Sequence, residues 1–287
     1  MDQAGGAVAA APVDWSRPWF SPWRDPGEGV DDCVRCGMPL HEALNLESRA
    51  PVHFVGQHAL PASQAYEQYV AASGNCPVRP GLHDFFNGIC WLGLPLSKAS
   101  LNRLQAAEIE ARGVGGARGP VRDAITLFDE NGALLDAPPL LWSALLERNW
   151  HRLFVELRPL WAQATLLVVG HALLEKLVTP RKELTAHVWR LPTRCDSLSA
   201  ADAALSVQLT AVVLSSKPFT PLPLLGIPGW CAENELRCFY DDAQVFRPRA
   251  AREAGGSRAR RARAALDFQG PVLISARGEL HNPSESS

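Results

Sequence analysis

With 287 residues, 47% of them hydrophobic and 20% charged, the chain can bury a sizeable core in one large domain or two small ones. A formal net charge of −2 excludes a global field that would drive it onto nucleic acid or an anionic membrane. Seven cysteines, of which only Cys33 and Cys36 are spaced as a pair, supply half a zinc site without its other half; reduced thiols in a cytoplasmic protein are the expectation. The start carries Asp2 and no basic stretch, which makes a poor signal peptide. The uncharged run Trp161–Leu174 is shorter than the roughly 20 residues that a bilayer requires, so no membrane association is expected.

Residues 1–13 are rich in Ala and Gly and read as disordered. Trp15, Trp19 and Trp23 follow four apart, but Pro18, Pro22 and Pro26 interrupt any helix. They read as an extended segment laying indoles on the body of the domain, with an aromatic ligand-binding edge as the sharper alternative. Residues 24–62 read as irregular connection with a short helix at Leu40–Leu46. Ser63 is placed to cap a helix that ends at Ser73 and is closed by Gly74 and Asn75. A second helix is expected over Leu82–Leu94, stopped before Pro95, and a third over Lys98–Arg112, capped by Ser97. On the third, Lys98, Asn102 and Gln105 recur at i, i+4 and i+7, a polar stripe that fits either a solvated face or a hydrogen-bonding wall.

GVGGARG lacks both the GxGxxG order and the GK[ST] ending of phosphate loops and reads as a flexible link. Asn131-Gly132, between Ile125–Phe128 and Ala133–Leu135, predicts a β-hairpin with Arg122 and Asp123 at its entrance and Asp129 and Glu130 at its tip. Helical pieces at Leu140–Asn149 and His151–Leu157 lead into an apolar helix, Leu160–Leu177, that places His171, Glu175 and Lys176 among leucines and valines before Pro180 ends it. A β-prone stretch at Ala186–Leu191 and a helix at Ala200–Ser215 follow. TPLPLLGIPGW holds too much proline and glycine for regular structure and is expected to drape over the surface or plug a groove. FYDDAQVFRP sets Asp241 and Asp242 between aromatics. From residue 249 an arginine-rich, low-complexity tail reads as disordered, and it is the one place where a nucleic-acid contact fits. The assignment is an α+β, mainly helical protein. A single compact domain spans 14–248, with a small β-hairpin component and long proline-rich loops.

The stretches HDFFNGICWLGLPLSKASLNRLQ, RDAITLFDENG, GHALLEKLVTPRKELTAH and TPLPLLGIPGWCAENELRCFYDDAQVFRP resemble a bacterial family catalogued as domain of unknown function number three thousand and twenty-five. The resemblance spans roughly Trp15 to Pro248. It implies that the four stretches form one unit with the arginine-rich tail outside it, and it brings no activity, cofactor or catalytic residue with it.

HExxH, GxSxG, the Walker loop and the dinucleotide fingerprint are all missing from the sequence. What remains is a set of polar residues in apolar or aromatic settings: His83, Asp84, Asn87, Arg122, Asp123, Asp129, Glu130, His171, Glu175, His187, Asp241 and Asp242. The enzyme reading is a hydrolase, metal-assisted in one version. His171, Glu175 and His187 then form an acid/base or divalent-metal set, seconded by His83, Asp84, Asp129 and Glu130. Burial is expected to raise the pKa of Glu175 and fit it for a general base. The alternative is a non-catalytic binding module whose groove lies under TPLPLLGIPGW, with Trp91, Trp230 and the Lys98/Asn102/Gln105 stripe. On a third, purely structural reading, His171–Glu175 and Arg122 with Asp123 or Asp242 are buried ion pairs that fix helix register. Substrate, partners, metal identity and oligomeric state do not follow from the residues.

Overall fold

The computed structural model describes residues 12–113, 119–191 and 193–249. Of the expected disordered ends and glycine-rich link, only the flanking positions 12, 13, 113, 119 and 249 fall among these. Val13, assigned to the start, is buried in the core.

The apolar runs of the second half of the chain form a four-stranded sheet. Its strands are β3 (Gly132–Asp136), β4 (Thr165–Val168), β5 (Thr185–Arg190) and β6 (Thr220–Pro223), following β1 (His53–Gly56) and β2 (Asn75–Val78), which pair in parallel elsewhere. The order is β4-β3-β5-β6, with β3 and β5 parallel and the outer pairings antiparallel. Ala133, Leu134 and Leu135 of the inner strand β3 are fully buried, the signature of a strand covered on both faces. β6 carries Pro221 and Pro223, which cannot donate to a ladder; an edge position makes that tolerable. TPLPLLGIPGW is therefore partly regular, a strand followed by a 3₁₀ turn, contrary to the sequence reading.

The helices that position the site are α3 (Tyr66–Ser73), α4 (Leu82–Gly93), α5 (Pro95–Arg112), α6 (Pro120–Asn131) and α8 (His171–Lys176), with α7 (Pro139–Glu147) between the last two in the chain. Helix α4 and the β-prone segment at β5 lie where the sequence placed them, and the chain is a mainly helical α+β protein. Several local expectations are corrected. Asn131-Gly132 is a helix-to-strand junction and not a hairpin, because Val121, Ala124, Ile125 and Phe128 recur at helical spacing and are all buried. Leu160–Leu177 is not one helix. A 3₁₀ stretch ends at Gln163, TLLV becomes β4 against β3, and α8 begins only at His171. The short apolar run fits a buried strand as well as a helix, and the vacant side of β3 decides the matter.

Pro95 opens α5 at its first position, where a missing N–H costs nothing, and the N-terminus is capped from afar by Asp202, which accepts from the amides of Leu96 and Ser97 at 2.9 and 2.8 Å. Ala65, not Ser63, precedes α3, while Gly74 closes it in the left-handed conformation as expected. Residues 24–62 hold more regular structure than expected, including α1 (Arg24–Arg35) beside α2 (Leu40–Asn45). Ala200–Ser215 is two helices, α9 (Leu198–Ser206) and α10 (Ala211–Ser215). The first three tryptophans are buried core residues. They sit in turns and a 3₁₀ helix in place of an extended segment, and Trp23 donates its indole N–H to the Val168 carbonyl at 2.8 Å.

Candidate active site

Gly170 explains how two distant polar residues meet. It links β4 to α8, its amide and that of Val169 both donate to the Gly132 carbonyl, and an added Cβ would lie 2.5–2.6 Å from the main chain of Glu130 and Asn131. Only glycine permits that approach. It sets His171, the first residue of α8, beside Asp129, in the last turn of α6.

A cavity of about 340 Å³ opens at this junction, lined from α3, α4, α5 and α6 as well as by His171. Along its wall runs a continuous line of polar contacts. Lys98 of α5 is buried and donates to Asp129 Oδ1 at 2.5 Å and to Asn87 Oδ1 at 2.9 Å, with its ammonium over the Trp91 ring. Asp129 Oδ2 lies 3.5 Å from His171 Nδ1. His171 Nε2 lies 3.2 Å from His83 Nε2, and His83 Nδ1 lies 3.0 Å from Glu175 Oε2. Asn87 extends the line the other way, donating to the Tyr66 hydroxyl, which contacts Cys76 Sγ at 3.1 Å. Arg79 closes one flank by gripping both oxygens of Asp84 and donating its own amide to the same carboxylate.

The electrostatics follow from position. Burial pushes the Asp129 carboxyl up, but the Lys98 ammonium together with the neighbouring imidazoles outweighs it and holds the group below its ordinary value. Burial drives His171 down to about 4 against the pull of Asp129, so the ring is neutral near pH 7. A position at a helix start, where the backbone dipole disfavours positive charge, acts the same way. Burial raises the Cys76 thiol to about 11 and leaves it a poor nucleophile.

The proton count of the line is informative. Three contacts, Asp129–His171, His171–His83 and His83–Glu175, each need one proton, and two imidazoles carrying one proton apiece supply only two. At 3.5 Å the first contact is too long for a hydrogen bond, and among the described residues His171 Nδ1 has no hydrogen-bond partner. Filling all three contacts would take one more proton, against the burial that holds His171 low.

Of the residues singled out from the sequence, His83, Asp84, Asn87, Asp129, Glu130 and His171 line the cavity, and Glu175 supports it through His83. Glu175 does not pair with His171 along the helix. Its side chain is 37% exposed, so the burial expected to activate it is not there. His187 stands apart: it sits on β5 between Gly132 and Pro221 in the sheet, half-buried, with burial lowering its pKa. The metal set His171, Glu175 and His187 is therefore not assembled, and among the described residues no group of three or more His, Cys, Asp or Glu is placed to hold a metal ion. Arg122 is buried without an ion pair among the described residues, because Asp123 faces Lys217 and Asp242 faces Lys182. Asp241 is exposed in a 3₁₀ turn.

The polar stripe Lys98, Asn102 and Gln105 lines the cavity, as does Trp91, but Trp230 lies in a separate pocket with Arg158 and Pro228, so the expected groove under TPLPLLGIPGW does not form. Sequence reasoning missed Tyr66, Glu67 and Arg79, and no spacing signal marks them. Among the described residues no helix is long and apolar enough to cross a membrane.

Fold and site together define an α+β protein in which four helices bring a lysine–aspartate–histidine–histidine line to the wall of one polar cavity. The chain belongs to the family described as "Protein of unknown function (DUF3025)", which matches residues 52–250 and so contains all four motif stretches, although it starts well after Trp15. No curated protein and no solved structure matches the chain.

Proposed function

We propose that the cavity is a hydrolytic active site in which the His83–His171 pair takes a proton from a water molecule directed at a bound polar substrate. The single observation that carries this reading is the row of polar neighbours from Asp129 through His171 and His83 to Glu175, built from residues up to 92 positions apart. His83, its side chain 45% exposed, is the member that meets solvent and substrate. Glu175 holds its Nδ1 side. His171 stands behind it as a neutral ring, Asp129 supplies the negative charge that stabilises the imidazolium once formed, and Lys98 keeps Asp129 ionised. The water gives its proton to His83 Nε2, which exchanges its contact with His171 for the water, the water oxygen bonds to the electrophilic centre, and the same proton passes to the leaving group as the substrate bond breaks. A side-chain nucleophile is not part of the scheme, since the buried Cys76 thiol stays protonated.

A panel of small p-nitrophenyl esters and p-nitroanilides tests the reading. His83→Gln is expected to lower kcat/KM by about 10²–10⁴ with Tm unchanged, the usual share of a positioned acid or base. Full activity in His83→Gln would remove the imidazole pair from the mechanism. No turnover of any panel member by a protein that still binds a ligand in this cavity would favour the alternative, a module that binds without catalysis.

A further inference from the structure

The charges around the cavity do not balance. Four carboxylates, Glu67, Asp84, Asp129 and Glu130, face two cations, Arg79 and Lys98, a net of −2 before the histidines are counted. Arg79 is taken by Asp84 and Lys98 by Asp129, while Glu67 and Glu130 have no ion pair among the described residues. A second and independent feature lies at the Glu67 end. Gln105, 9% exposed, donates its Nε2 to Glu67 Oε1 at 2.8 Å. Because a carboxylate only accepts, that bond fixes which way the amide is turned, and the Gln105 Oε1 left over is buried with no partner among the described residues. Asn102, one helical turn earlier on α5, spends its Nδ2 on the Glu67 carbonyl, so its oxygen is likewise what remains. This end of the cavity therefore offers unfilled acceptors beside the second N–H of each amide, and a buried acceptor without a donor disfavours the empty protein.

We propose that the ligand of this cavity carries a primary amine, bound as its ammonium ion at the Glu67–Asn102–Gln105 end. An ammonium has three N–H donors, no acceptor and one positive charge, which matches three unfilled acceptors and the excess of negative charge. Phosphate or carboxylate ligands meet neither condition. The inference rests on the cavity being a ligand site, as proposed above, and adds the substrate class.

The test is the melting temperature of the full chain with ethanolamine, inorganic phosphate, sodium acetate or magnesium chloride, each at the same ionic strength. Ethanolamine alone is expected to raise Tm, by about 2–4 °C near saturation. Gln105→Leu is expected to keep or raise its own Tm, having lost an unpartnered acceptor, while its affinity for ethanolamine falls about tenfold. Should Gln105→Leu not fold, Glu67→Gln, at a half-buried position, serves the same comparison. Absence of an ethanolamine shift, an equal shift in the variants, or a shift with phosphate, acetate or magnesium in its place overturns the proposal. His83→Gln separates this proposal from the acid–base reading. The ethanolamine shift persists in that variant if the amine subsite is right, whatever happens to hydrolysis.

Discussion

Two regions of this molecule bury polar groups to opposite effect. At the aromatic end, Phe154 stacks against Trp150, Trp161 and Tyr240 with ring centroids 6.2, 5.7 and 5.5 Å away, and Phe246 meets it edge-on. The polar atoms there are matched. Asn234, 1% exposed, donates to the carbonyls of Leu225 and Ile227 and accepts from Arg158. The Tyr240 hydroxyl sits 3.0 Å from two carbonyl oxygens, and the Trp150 and Trp161 indoles each find a carbonyl. In the cavity wall, by contrast, His171 Nδ1 and Gln105 Oε1 lack partners among the described residues and charge is unbalanced. Buried polar groups that are all satisfied serve rigidity; the two left incomplete here border a cavity.

Substitutions should separate the two regions. The largest effect is expected from Phe154→Ala, fully buried among four rings, at about 3–5 kcal/mol of stability in urea titration, with ligand binding in the cavity unchanged in the folded fraction. A parallel loss of cavity binding would mean that the two ends are not independent. Lys98→Met should cost about 3 kcal/mol, the low end of the range for a buried pair because the Asp129 side chain is 26% exposed. The double variant Lys98→Met/Asp129→Asn should recover much of it, because the stranded charge is gone; simple additivity in a double-mutant cycle would refute the pairing.

The smallest effect concerns pH. Folded His171 titrates near 4 against an ordinary 6.5, so the unfolded chain binds the extra proton between those values and stability rises with pH across that window. The gain is at most about 3 kcal/mol, complete above pH 6.5 and lost as pH falls towards 4, and His171→Phe should flatten it. Asp129 acts in the same direction lower down: its depressed pKa adds stability above its ordinary 3.8 that disappears as the carboxylate is protonated.

What the residues disclosed in advance was local. The span of α4, the C-terminal glycine of α3, the strand at β5 and the polar stripe of α5 follow from caps and periodicity over a dozen residues. Asn131-Gly132 misled because a two-residue turn signal outweighed a four-residue helical repeat just before it. The LLVV run misled because an apolar tetrapeptide acquires its conformation from the strand beside it. Site residues were legible as polar groups in greasy surroundings, which is why His83, Asp129, His171 and Glu175 were singled out. Their partnerships were not, since His83 joins His171 across 88 positions and Glu175 across 92. His187 looked equivalent in sequence and was separated by strand pairing alone.

Because the linker before α8 rests directly on the peptide backbone ending α6, the spacing of imidazole and carboxylate is dictated by main-chain contact and not by adjustable side chains. The two helix ends that carry these groups are held together as one piece. Reshaping elsewhere in the pocket can retune which molecules enter while the ring and the acid behind it keep their mutual geometry.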